Sequence, residues 1–76
     1  MKQSVAPVIL VCSFKDEEVA APIFISDLLT TLEFEKKIFK LILVDDGSSD
    51  QTSKVLEKFV CSNVELLTLR NNSHVL

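Results

Sequence analysis

The sequence predicts an α/β chain in the order strand, helix, strand, helix, strand, with parallel strands in the spatial order 3-2-1. Three observations predict it. Val8 to Cys12 and Leu41 to Val44 are unbroken apolar runs rich in Val, Ile and Leu, as strands of a covered parallel sheet are. After each run, apolar residues recur at the three-and-four spacing of one helical face. The connections are too long for hairpins, so they are crossovers, which in parallel sheets are almost always right-handed.

The first strand is expected over Val5 to Ser13. Its central run lacks in-out alternation, so it reads as buried on both faces. Asp16, Glu17 and Glu18 form an acidic turn. Pro22 suits a first helical turn, where a backbone N–H has no partner to lose, and Ile25, Leu28, Leu29 and Leu32 mark the inner face of a helix ending near Glu33 to Lys37. Ile38 to Val44 is the second strand, interrupted by Lys40 and stopped by Asp45, Asp46, Gly47 and Ser48, all turn formers. Gly47 is the only glycine in the chain. Ser48 or Ser49 is expected to cap a second helix with Asp50 in its first turn; Thr52, Val55, Leu56, Phe59 and Val60 form its apolar face, and Lys54, Glu57 and Lys58 its polar one. Asn63 ends that helix, Val64 to Leu69 is a third strand, and Arg70, Asn71, Asn72 and Ser73 begin a polar tail.

This order is half of a doubly wound sheet. Two right-handed crossovers that progress the same way place both helices on one face and leave the other bare. The first strand is then also an edge, with unpaired backbone at Val8 to Val11, so self-association through it is expected unless further chain covers it.

Composition bounds the function. With 76 residues, 47% of them hydrophobic, the chain holds one small domain or part of a larger one. Eight Lys and Arg against eleven Asp and Glu give a net charge of −3, and without a basic stripe this argues against nucleic acid as a partner. One glycine excludes P-loop and dinucleotide-binding glycine fingerprints. Cys12 and Cys61 are too few for a disulfide scaffold, and a reducing cytoplasm is the expected compartment. Cys61 reads as a packing residue and His74 as a solvated one. The longest apolar run is far below the roughly 18 residues of a membrane span. Lys2 and Val5 to Phe14 imitate an export signal but run into Lys15, Asp16, Glu17 and Glu18 without a cleavage site, and Val11 is not the small residue that should precede a lipidated Cys12.

The informative segment is Leu41-Ile42-Leu43-Val44-Asp45-Asp46-Gly47-Ser48-Ser49-Asp50-Gln51-Thr52. It sets two acids at the carboxyl end of a parallel strand, where open α/β sheets bind ligands. A carboxylate there can accept hydrogen bonds from a nucleobase or ribose, or simply make an Asx turn. A haloacid-dehalogenase nucleophile two positions before Asp46 is missing, because Val44 stands there. An EF-hand starting at Asp45 would need glycine where Asp50 lies. A response-regulator receiver would need a phosphoacceptor aspartate two strand-helix units later, and the residues after Asp46 do not provide it.

Those twelve residues resemble the strand-end signature of family 2 glycosyltransferases, a hydrophobic run followed by Asp-Asp-Gly-Ser-x-Asp-x-Thr. Val8 to Glu18 is similar to that family's first strand, which ends Pro-x-Tyr-Asn-Glu-Glu, and the spacing of the two motifs fits. The resemblance implies that residues 1–76 are the amino-terminal, nucleotide-binding part of a Rossmann-like GT-A domain. It implies a nucleotide-diphosphate sugar (UDP or GDP) as donor and, from the helix around Pro22, Ile23 and Phe24, polyprenyl phosphate as acceptor. By the same resemblance Asp46 binds base or ribose, Phe14 packs on the base, Asp16 contacts the nucleotide, Cys12 and Val44 line the pocket, and Asp45 supports the turn.

The departures are Cys12 for proline, Phe14 for tyrosine, Lys15 for asparagine, Asp16 for glutamate, and Ser73 for a glycine in the next motif. The family's Asp-x-Asp, which would hold Mg or Mn, its catalytic base and its acceptor region lie downstream, and any membrane contact is expected there, at the inner, cytoplasmic membrane face. No catalytic residue is therefore assigned in this chain, and transfer by it alone is not expected. The alternative expectation is a non-catalytic interaction or nucleotide-binding module that keeps the scaffold.

Overall fold

The structure, a computed structural model, describes residues 7–69. The expected strand start at Val5, and the tail with Arg70, Asn71, Asn72, Ser73 and His74, lie outside them. The elements are β1 (Val8–Phe14), α1 (Ala20–Phe34), β2 (Phe39–Asp46), α2 (Thr52–Glu57) and β3 (Val64–Leu69). The three strands are parallel in the order β1-β2-β3, so the expected Rossmann-like β-α-β-α-β arrangement is present and β1 is an edge.

Strand pairing assigns the faces. Leu10, Cys12 and Phe14 stand beside Leu41, Leu43 and Asp45, which stand beside Val64, Leu66 and Thr68. Both helices pack on this face, where Phe14, Ala21, Ile25, Leu41, Leu43, Leu56 and Val64 form one core. Alternate residues point the other way, and there Ile9 is 67% exposed and Val11 63%. β1 is thus not buried on both faces; it alternates, because α1 and α2 lie on the same side and nothing in residues 7–69 covers the other.

Within α1, Ala21, Ile25 and Leu32 are buried and Leu28 and Leu29 half-buried, the predicted inner stripe. Pro22 is its third residue, where its missing N–H costs nothing. The helix ends in a Schellman motif: Lys36 takes φ 56°, and the N–H groups of Lys36 and Lys37 donate to the carbonyls of Glu33 and Leu32, both at 3.0 Å. A left-handed lysine is strained at that position. Lys36→Gly is expected to stabilise the chain by about 0.5–1 kcal/mol, read as a higher urea midpoint at unchanged slope.

α2 is shorter than its apolar pattern suggested, only six residues. Ser48 and Ser49 do not cap it: the N-cap is Gln51, with no side-chain capping bond, because both serines bond to the loop after β1 instead. Asp50 also precedes the helix, accepting from the Thr52 N–H at 2.8 Å. Phe59 and Val60 follow it; Phe59 still packs against the core, and Val60 is exposed. Cys61 is exposed rather than packed, its thiol donating to Asn63 Oδ1 at 3.1 Å.

Candidate functional site

At the carboxyl end of the sheet the loop after β1 and the loop after β2 lie side by side. Their joining uses most of the polar residues in the Asp45 to Thr52 segment. Asp45, only 2% exposed, accepts the Ser48 N–H at 3.1 Å and shapes the turn through Gly47, whose φ is 73°. Ser48 Oγ accepts the Asp16 N–H at 2.9 Å, and Thr52 Oγ1 accepts the Glu17 N–H at 2.8 Å. The Glu18 N–H reaches Asp50 Oδ2 at 3.4 Å. In the reverse direction, Asp16 Oδ1 accepts the Ser49 N–H at 2.6 Å, and Glu18 Oε1 accepts the Gln51 N–H at 2.9 Å.

Thr52 is the buried hub of this clasp. Its side chain accepts from Glu17 while its hydroxyl donates to Asp50 Oδ1, so full burial leaves neither its donor nor its acceptor unsatisfied. The Thr52 hydroxyl, assisted by backbone N–H groups, holds the Asp50 carboxyl below the usual carboxylate range.

Of the acids in this segment, Asp46 is left over. It is exposed at the end of β2, and among the described residues it has no hydrogen-bond partner. Asp16 is half-committed: Oδ1 receives Ser49 through both N–H and hydroxyl, while Oδ2 accepts nothing among the described residues. Asp16 also adopts φ 52°, the left-handed conformation that turns its backbone N–H toward Ser48.

The remaining predicted residues divide between the faces. Cys12 and Phe14 lie on the helix side, beside Leu43 and Asp45, whereas Val44 and Asp46 lie on the bare side. The structure therefore brings Cys12 and Phe14 together and separates them from Val44 by the thickness of the sheet. Cys12, Ser13, Phe14, Glu17, Ala20 and Phe24 line an open cleft of about 450 Å³ at the end of β1. Phe14 is 7% exposed and meets Phe24 edge to face at 6.1 Å, so half-exposed Phe24 is the ring that reaches solvent. Burial pushes the Cys12 thiol above its ordinary pKa. Among the described residues, no group of three His, Cys, Asp or Glu side chains is placed to hold a metal ion.

A family description, Glycosyl transferase family 2, matches residues 9–75. The chain belongs to glycosyltransferase family 2. It is 36% identical over 66 residues to dolichyl-phosphate beta-glucosyltransferase from Homo sapiens, a match covering 75% of this chain and 20% of that protein. The protein of the same name from Mus musculus is similar to the same extent. The chain thus spans about one fifth of the length of these curated relatives. In this family 2 chain, sequence reasoning did not anticipate Glu17, Ala20 and Phe24 in the cleft, nor Ser48, Asp50 and Thr52 as the clasp. The spacing of Ser48, Asp50 and Thr52 was visible; their bonds span 32 to 35 residues, beyond the reach of a local pattern.

Among the described residues, no helix is long and apolar enough to cross a membrane.

Proposed function

We propose that this chain forms the nucleotide side of the donor pocket of a GT-A glycosyltransferase whose full-length form transfers a sugar from UDP- or GDP-sugar to polyprenyl phosphate. The observation that carries the reading is Asp46. Asp45, Ser48, Asp50 and Thr52 are all occupied within the clasp, while the Asp46 carboxylate stands exposed at the strand end, where it can accept from a base imide or ribose hydroxyl. The matched relatives are named for glucosyl transfer involving dolichyl phosphate, which supports the polyprenyl acceptor.

In this reading the base lies across the ends of β1 and β2. Cys12 and Phe14 line the cleft on one side of it, Asp46 and the free Oδ2 of Asp16 supply acceptors at the strand ends, and Val44, on the opposite face of the sheet from Cys12, does not share that cleft. Asp16, Glu17, Glu18 and Asp50 line one hollow at this end of the sheet and Asp46 ends β2 there, so the surface is acidic. Such a surface suits uncharged base and ribose groups and repels a diphosphate. Neutralising the diphosphate therefore falls to Mg or Mn held by downstream residues, so the chain alone binds nucleotide weakly and transfers nothing.

Calorimetric titration with UDP and with GDP tests the reading. Weak binding to at least one is expected, and Asp46→Ala should weaken it at least tenfold, the loss of a hydrogen bond to a charged acceptor. Affinity unchanged by Asp46→Ala would remove that residue from the pocket.

A further inference from the structure

Phe14 and Phe24 share one cleft but are not equivalent in it. Phe14 belongs to the core under the helices and is nearly all covered, whereas Phe24, whose ring plane lies 64° from that of Phe14, is 50% exposed. Stacking a planar heterocycle takes open ring surface, and of the two rings only Phe24 has it to give. Phe24 is carried on α1 between Ala21 and Ile25, both fully buried against the sheet, so it stands on a fixed backbone rather than on a loop. The cleft stays open because three of its other walls, Cys12, Ser13 and Ala20, are small. Glu17 adds a negative charge to the wall, which turns away a phosphate but not an uncharged ring.

We propose that the base of the nucleotide stacks on Phe24, with Phe14 as the buried ring that braces it; this rests on the nucleotide reading of the site. The stacking aromatic thus sits on the second turn of α1 rather than at the end of β1. The base enters the apolar cleft, ribose hydroxyls are left to Asp46 and to Oδ2 of Asp16 at the strand ends, and the diphosphate stays outside this acidic surface. Stacking tolerates any base, because each has a π-face, so Phe24 serves uracil and guanine alike and the choice between them falls to other groups.

Titrating the unaltered chain, Phe24→Leu, Phe14→Leu and Asp46→Ala with UDP and with GDP in a calorimeter tests this, with far-UV circular dichroism checking the fold of each variant. Phe24→Leu can still pack on Phe14 but offers no ring, and should raise the dissociation constant about tenfold, the worth of one base–aromatic stack. Phe14→Leu should raise it less. The chain contains no Trp and no Tyr, so Phe24→Trp supplies a single indole whose fluorescence a stacked base should quench as nucleotide is added. An indole unquenched at saturating nucleotide overturns the proposal. A nucleotide that binds, is weakened by Asp46→Ala and is indifferent to Phe24→Leu overturns the stacking on Phe24 alone and leaves the pocket standing. Loss through Phe14→Leu with Phe24→Leu silent returns the stack to Phe14 and overturns it equally. Binding of neither UDP nor GDP takes down the nucleotide reading itself, and the role of Phe24 with it.

Discussion

Leu43→Ala is expected to lower the folding free energy by about 3–5 kcal/mol, most of what a chain of this length possesses. Leu43 is fully buried in the middle of β2, between Cys12 of β1 and Leu66 of β3, and belongs to the single core under both helices. With both described helices on one face, no second core among the described residues supports the sheet when this one is hollowed. Ile9→Ala is the matched control: Ile9 is 67% exposed on the bare face, so its loss should change stability by less than about 0.5 kcal/mol. Urea unfolding at one fixed protein concentration, so that association does not shift the midpoint, measures both. A Leu43→Ala cost below about 1 kcal/mol would place the core elsewhere.

The second large effect is expected at the clasp. Thr52→Val keeps the side-chain shape but leaves the Glu17 N–H without its acceptor and Asp50 without the hydroxyl, at a cost of about 2 kcal/mol. The loop carrying Asp16 should then detach from the loop carrying Asp46, so amide exchange at Asp16 and Glu17 should speed up more than exchange in β2. Equal acceleration everywhere would mean that Thr52 acts only through global stability. The clasp also gives the fold an acid limit. Because the Asp50 carboxyl in the folded chain titrates below its ordinary value, its contribution is present above the unfolded carboxylate pKa of about 4 and is lost as pH falls through the folded value. Asp50→Asn should therefore flatten the fall in melting temperature below about pH 4 relative to the unaltered chain; an acid limb identical in both would detach Asp50 from the pH dependence.

What could be read in advance followed local periodicity. The apolar runs at Val8 to Cys12 and Leu41 to Val44, the stripe Ile25, Leu28, Leu29 and Leu32, and the turn at Gly47 are short-range patterns, and each recurs in the structure as β1, β2, α1 and the exit of β2. Parallel pairing followed because the connections are too long for hairpins, and the bare face followed from the common hand of the crossovers. The length of α2 was misjudged for the same local reason: Phe59 and Val60 keep helical spacing, yet the helix ends at Glu57.

Pattern alone thus determined the strands, the helices, the edge position of β1 and the presence of two acids at a strand end. Tertiary structure decided which of those acids is available. Asp45 is turned inward to Ser48, Asp16 is half-held by Ser49, and Asp46 alone faces outward without a partner among the described residues. It also set Cys12 and Phe14 on one face and Val44 and Asp46 on the other. The physical reason is distance along the chain: strand and helix periods act over a few residues, whereas the hydrogen bonds that occupy or free a carboxylate join loops more than thirty residues apart and exist only once the sheet has brought those loops together.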